Sequence, residues 1–206
     1  MTGLLVTLDG PGGTGKTTTA IMAAAELDRR GQPAHVAAEP SSGPIGTLVR
    51  SLVNEVTGHA LACLVAADRY HHLDTEIRPR LAAGHVVVCD RYLASTLVLQ
   101  RRDGLPQPWL LALNEHIDLP GLAVILTAEP GILAARLDQR GRHDRFEDEP
   151  APPGAEDAMF AAAADTLAGR GVPVIQVDTS RLAPREVAAR IADAAQERCA
   201  SLTDHG

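Results

Sequence analysis

Lysine, aromatic residues and cysteine are scarce in this chain, and each scarcity closes off a class of function. Lys16 is the only lysine among 206 residues, every other long basic side chain being arginine. Without a second lysine there is no Asn-Lys-x-Asp guanine-reading motif, so a GTP switch is excluded. No basic block longer than Arg101-Arg102 occurs and the formal net charge is −7, so a nucleic-acid polymer is not an expected partner. Aromatic residues make up 2% of the chain, so a site that stacks a nucleobase has very few rings to draw on. Cys63, Cys89 and Cys199 are odd in number and far apart. They form neither a disulfide framework nor a zinc site, and read as small apolar residues in a reducing compartment. No apolar run approaches membrane-spanning length and no basic-plus-apolar leader precedes the first strand, so the expectation is a cytoplasmic protein without a membrane partner. The length suits a single α/β domain over residues 1–206.

What is present is a phosphate-binding loop. Asp9-Gly10-Pro11-Gly12-Gly13-Thr14-Gly15-Lys16-Thr17 follows an apolar, β-prone run from Gly3 to Leu8. It leads into a helix from Thr18 to Arg29, where Ile21, Met22, Ala25 and Leu27 suggest an apolar stripe. Glycines at this spacing let successive N–H groups turn inward on a β-phosphate. Lys16 then reaches the β and γ oxygens, and the Thr17 hydroxyl coordinates Mg²⁺ at a helix N-terminus. ATP is the expected donor, held by Gly10 to Thr18. A ligand-free glycine turn is the plain alternative, but a chain that uses arginine everywhere else has kept a compact ammonium at this one place.

Further strands are expected at Ala34–Ala38, His85–Cys89, Leu122–Leu126 and Val172–Val177. Helices are expected at Ile45–Val56, about 60–83 (bent by Pro79 and closed by Gly84), Tyr92–Gln100, Trp109–His116, Gly131–Gln139, Ala155–Ala168 and Pro184–Glu197. Alternation of this kind predicts a P-loop NTPase fold: a five-stranded parallel sheet, helices on both faces and right-handed crossovers. The run ending in Cys89 has the character of a doubly buried strand, and it delivers Asp90 and Arg91 to the C-terminal edge, where ligands bind such sheets.

Phosphoryl transfer asks a protein for cations and a metal ligand around Lys16. Asp90 suits Mg²⁺; it equally suits an N-cap for the helix that follows, and the two roles are compatible. Arg91, fork-shaped, suits an acceptor phosphate. Arg136, Arg140, Arg142 and Arg145 form the densest arginine cluster, the last three in a glycine-containing segment at about 140–154 that ends in an acidic, proline-rich loop from Glu147 to Gly154. This has the character of a lid carrying guanidinium groups over the transferring phosphoryl. Taken singly, each of these arginines also fits a salt-bridged surface position.

These segments together resemble thymidylate kinases. The matching stretches are Leu8 to Thr18; Glu39-Pro40 with Arg50; Ala66-Ala67-Asp68-Arg69, then Ile77, Pro79, Leu81 and Gly84; Asp90-Arg91-Tyr92 with Ser95, Thr96 and Gln100; and Arg140 to Glu147. The resemblance implies an ATP- and Mg²⁺-dependent nucleoside-monophosphate kinase acting on dTMP or a related pyrimidine nucleotide, assembled as a homodimer. It implies that Arg69 reads the pyrimidine edge, that Arg91 and Arg50 hold the acceptor monophosphate, and that Thr17 and Asp90 serve the metal. Asp9, Glu39, Val65, Ser95, Thr96 and Leu99 would complete the acceptor site. Gly13 stands where one subgroup has a catalytic arginine, so Arg140, Arg142 and Arg145 would join Lys16 and Arg91 in catalysis. The stretches Leu61–Val65 and Leu110–Leu113, with Leu93 and Leu97, are candidate dimer faces.

Four positions depart from the pattern. Gly12 replaces a carboxylate, Val65 a stacking phenylalanine, Leu99 a tyrosine and Ala38 an arginine. A relative recruited to another monophosphate is therefore the alternative reading. A non-catalytic P-loop binding subunit is the third, and its signature would be a broken loop; this loop is whole.

Overall fold

The computed structural model describes residues 3–141, 145–148 and 154–203. Five strands, β1 (Leu4–Asp9), β2 (Ala34–Ala38), β3 (Val86–Asp90), β4 (Leu122–Thr127) and β5 (Val174–Asp178), pair in parallel in the order β2-β3-β1-β4-β5. Among the described residues ten helices surround them: α1 (Lys16–Arg29), α2 (Pro44–Leu52), α3 (Gly58–His72), α4 (Arg78–Ala82), α5 (Leu93–Arg102), α6 (Gln107–Leu113), α7 (Pro130–Arg140), α8 (Arg145–Asp148), α9 (Ala155–Ala168) and α10 (Pro184–Thr203). The parallel five-stranded α/β architecture expected from the alternation is the one observed.

Alternate strand residues sort cleanly onto two faces, as a period of two requires. Leu5, Val87, Ala123 and Ile125 face a core built with α5 and α9 residues such as Leu97 and Phe160. Leu4, Val6, Leu8, Val86, Val88, Val124 and Leu126 face a second core with α1 and α10. β1 and β3 are buried along their whole length because helices cover both faces.

Four local expectations need correction. The inner face of α1 is Ala20, Ala23, Ala24 and Leu27, while Ile21 is 55% exposed. Small side chains let this helix sit close against the sheet, so residue size, rather than hydropathy alone, selects the packed stripe. The stretch foreseen as one bent helix consists of α3, a π-helical turn at Leu73–Ile77, and α4. The widened turn places Pro79 in the first turn of α4, where its missing N–H leaves no bond unmade. Finally Leu61, Leu93, Leu97 and Leu110, foreseen at dimer faces, are no more than 1% exposed within the single chain. Helical spacing marks a buried stripe without saying what buries it. The proposed loop from Glu147 begins in a helical turn, α8, and its residues 149–153 lie outside the described residues.

The register pairs Leu8 with Asp90, so the chain leaves β1 and β3 side by side into one crevice. Gly10 makes that exit possible. Its φ is +147°, and a Cβ there would stand 2.2 Å from the Leu126 carbonyl oxygen of β4. Gly10→Ala is therefore expected to lose about 2 kcal/mol or more, read as a Tm lower by about 4–8 °C. An unchanged Tm would show that the loop can back away from β4.

Candidate active site

The P-loop wraps onto itself. Lys16 Nζ donates to the carbonyls of Gly10 and Pro11, each at 2.8 Å, and Thr14 Oγ1 donates to Pro11 O at 2.9 Å. Gly13 and Gly15 both have positive φ, and Gly15 leads directly into α1. Arg136 braces the loop from α7, donating to Gly13 O at 3.3 Å and to the carbonyl oxygen of Thr179 at 2.8 Å. Burial, reinforced by the positive charge of Arg91, lowers the Lys16 pKa to about 7, against the opposing pull of Asp90 and Asp9. An ammonium held this dry gains strongly from an arriving phosphate.

Thr17 Oγ1 donates to Asp90 Oδ2 at 2.5 Å, while Asp90 Oδ1 is buried and has no hydrogen-bond partner among the described residues. One hydroxyl and one carboxylate with an unused oxygen are hard donors that fit Mg²⁺. Among the described residues there is no group of three or more His, Cys, Asp or Glu that could hold a metal. The donor set therefore suits an ion brought in largely on nucleotide phosphates. The capping role open to Asp90 belongs to Asp9, whose Oδ1 accepts from Tyr92 N and Ser95 N, both at 2.9 Å, and from Ser95 Oγ at 2.6 Å. Burial raises the Asp9 pKa against these donors. Asp9 thus fixes the start of α5, and through it Arg91, which sits in the left-handed region at φ +68° with its N–H on Leu8 O at 2.8 Å.

A cleft of about 780 Å³ is lined by Gly13, Lys16, Thr17, Asp90, Arg91 and Arg50, among others. It runs into a narrower, mostly apolar cavity of about 80 Å³ whose walls include Val65, Arg69, Ser95, Thr96, Leu99 and Gln100. Glu39, Pro40, Val53 and Arg91 line both. The Arg91 guanidinium makes no hydrogen bond among the described residues, so a cation with unspent donors stands at the junction. Arg50 donates to Pro40 O, and to Ser41 O at 2.5 Å. The loop it holds is fixed from the other side by Asp68, which accepts from Ser41 N and Ser41 Oγ, each at 2.6 Å.

At the cavity floor Arg69 is 1% exposed. Its Nε and Nη2 donate to Glu39 Oε2 at 2.8 and 2.7 Å, its Nη1 to Asn114 Oδ1 at 2.6 Å and its Nη2 to Thr96 Oγ1 at 3.0 Å. Its Cζ lies 4.9 Å from the centre of the Tyr92 ring. Burial opposes its charge, but Glu39 outweighs burial and the group stays ionised. Gln100 Oε1, also buried, has no partner among the described residues.

The arginines of the 140–154 segment part company. Arg140 lines the large cleft and donates to Glu147 Oε2 at 2.6 Å. Glu147 in turn crowds Gly12, where a Cβ would come 2.9 Å from Glu147 Oε1. Arg145 points elsewhere: it forms a bidentate pair with Asp103 at 2.8 and 2.5 Å and donates to Val53 O at 2.9 Å. Arg142 lies outside the described residues. Asn114, Phe146 and Glu147 were not foreseen as site residues. They come from distant segments, and no local motif marks them; only the presence of Phe146-Glu147 beside the arginines offered a signal.

The Arg69 network predicts a large stability effect. Removing one member of a buried ion pair leaves the other charge uncompensated, so Arg69→Met is expected to lose about 3–5 kcal/mol in denaturant unfolding. Arg69→Met with Glu39→Leu should lose less than the single change. A single variant within about 1 kcal/mol of the parent would mean that water reaches Glu39.

A sequence profile described as thymidylate kinase matches residues 8–152, which is most of the chain. A probable thymidylate kinase of Pyrobaculum aerophilum is 35% identical over 91% of this chain and 94% of its own length. One from Caldivirga maquilingensis is 36% identical over 70% of this chain and 72% of its own. The thymidylate kinase of Pseudomonas savastanoi pv. phaseolicola is 38% identical over 72% of this chain and 75% of its own. With its P-loop intact and its strand order the one expected of a P-loop kinase, the chain belongs to the thymidylate kinase family.

Proposed function

We propose that this protein transfers the γ-phosphoryl group of ATP to dTMP, giving dTDP and ADP. The observation that carries the reading is Arg91, which lines both the polar cleft beside Lys16 and the apolar cavity floored by Arg69. A phosphate attached to a nucleoside in the cavity would meet Arg91 and Arg50 as its base reached Arg69 and Gln100. The unpaired Gln100 oxygen accepts an imide N–H such as thymine carries, and the Arg69 edge donates to a ring carbonyl. An oxygen of the acceptor phosphate attacks the γ-phosphorus, the bond from that phosphorus to the β–γ bridging oxygen breaks, and the electron pair leaves with ADP. Lys16, Arg91 and Arg140 supply positive charge along this path. Mg²⁺ held near Thr17 and Asp90 would neutralise the donor phosphates.

No helix among the described residues is long and apolar enough to cross a membrane. A cytoplasmic site of action is part of the proposal and rests on the family membership. A homodimer remains part of the proposal. With the large leucines spent in the core, its contact would fall on the half-buried Trp109, Leu111 and Leu113 and on exposed Cys63.

A coupled ADP-release assay over dTMP, dUMP, dCMP, dGMP, UMP, CMP and 3′-modified analogues tests the reading. The highest kcat/KM is expected for dTMP, and Lys16→Ala should lose activity by several powers of ten. A better substrate elsewhere in the panel would shift the acceptor assignment to a different monophosphate; a tenth of the activity surviving in Lys16→Ala would refute the donor site.

Lys16 also makes donor binding pH-dependent. Phosphate favours the charged ammonium, so binding raises a pKa that starts at about 7. At pH 8 the free protein holds Lys16 mostly neutral, and MgATP binding should take up close to one proton. Below pH 6 this uptake should vanish. Titration calorimetry in buffers of different ionisation enthalpy measures it, and an uptake that persists in Lys16→Met would assign the proton to another group.

A further inference from the structure

Phe146 lies in α8, far along the chain from the other walls of the acceptor cavity, yet it is one of those walls. The ring is 7% exposed and packs with Val49 and Leu61, with Val53, Val65 and Leu99 around it. Few rings in this chain are available to a base. Tyr92 also borders the cavity, but it is 1% exposed and donates its hydroxyl to Asp118 O at 2.9 Å. Phe160 is fully buried in the core beside the sheet, and Tyr70 and Trp109 pack against that same core. That leaves Phe146 as the aromatic surface bordering the space where a base would sit.

Its position is set by its neighbour. Arg145 Cζ lies 4.0 Å from the Phe146 ring centre, and Arg145 is itself held by both Asp103 oxygens, by Val53 O and, through its own N–H, by Asn54 Oδ1 at 2.9 Å. Asp103 is the residue that follows α5, whose residues Thr96, Leu99 and Gln100 line the same cavity. The clasp therefore ties the ring to α5, which forms another wall of the same cavity.

We infer that Phe146 is an acceptor-specificity residue, the aromatic wall against which the nucleobase packs, and that the Arg145–Asp103 clasp is its positioning device. The inference rests on the proposed nucleoside-monophosphate kinase reading. It also gives Val65 a structural context: Val65 packs against the cluster that holds Phe146, so a ring at position 65 and the ring of Phe146 would compete for one space.

The test is equilibrium binding of dTMP and of 2-deoxyribose 5-phosphate, which lacks the base, to the full chain by calorimetry or competition. Truncating a ring that stacks on a base weakens binding by about 5- to 150-fold. Phe146→Leu should weaken dTMP by about that factor and leave the abasic sugar phosphate within about twofold; Phe146→Tyr should bind dTMP like the parent. Asp103→Asn should weaken dTMP in the same base-dependent way, by a smaller factor. Adding Val65→Phe to Phe146→Leu should restore dTMP affinity at least in part, which shows that the double variant is folded and that a ring is what the site lacked. If Phe146→Leu binds dTMP as well as the parent does, or better, the ring is filler or obstruction and the inference falls. Equal weakening of both ligands also overturns it, because the defect would then be general to the site. A parent protein that binds no pyrimidine monophosphate would refute the proposed function itself, a result distinct from either of these.

Discussion

The apolar cavity of this molecule depends on one buried guanidinium. Arg69 is almost without solvent contact and spends its donors on Glu39 after β2, Thr96 on α5 and Asn114 after α6, with the Tyr92 ring beside it. A charge this dry is tolerable only while its network is complete, because the desolvation of an ion outweighs any single bond it makes. The network therefore imposes a geometric condition: the end of β2, the helix α3, the start of α5 and the end of α6 must meet at one point. Helix packing alone would allow these elements to slide by fractions of a turn. The fixed fork of the guanidinium does not, and the cavity takes its shape from that constraint.

The P-loop cleft is organised by the opposite device, an ion whose charge is only weakly supported. Lys16 finds two backbone carbonyls but no carboxylate within its immediate hydrogen bonds, and Arg91 repels it. Its depressed pKa measures how much the site would gain from an anion. An acidic chain with net charge −7 has thus gathered Lys16, Arg91, Arg50, Arg136 and Arg140 around one cleft. The bulk charge is no guide to the local field, which is set by the groups lining the cleft at short range.

How far such a site can be read from the chain depends on how locally its parts are encoded. The P-loop was legible because glycine spacing, lysine and threonine lie within eight residues between a strand and a helix, and the sheet was legible because runs such as Val86–Cys89 are apolar without alternation. Asp90 was placed by the apolar strand that delivers it to the sheet edge and Arg69 by resemblance, and their partners Thr17 and Asn114 show why those placements work physically. Other features were beyond local reading. Leu93, Leu97 and Leu110 have the spacing of a buried stripe, and spacing cannot tell a core from a subunit contact. Arg140 and Arg145 look alike in the chain, yet one enters the cleft and the other turns away to Asp103, a choice made by a carboxylate more than forty positions distant. The alanine face of α1 was overlooked because Ile21 and Met22 dominate any hydropathy count.

The departures at Gly12 and Val65 look independent in the sequence, but in the structure the same short helix stands against both. Successive residues of a helix point about 100° apart, so two neighbours on α8 can face different ligands. Phe146 turns into the apolar cavity, while Glu147 turns to Arg140 and to the space that a side chain at position 12 would fill. A carboxylate on Gly12 would meet the carboxylate of Glu147, and a ring at Val65 would press into the cluster that Phe146 already occupies. Groups missing from the rigid strand-to-helix loop and from α3 are thereby matched by groups on an element held through side chains, the Arg145–Asp103 pair above all. Because one turn of helix touches the P-loop on one side and the acceptor cavity on the other, displacing it from either side disturbs both. The geometry of this segment thus links the P-loop to the apolar cavity, with the Arg145–Asp103 pair holding the element that touches both.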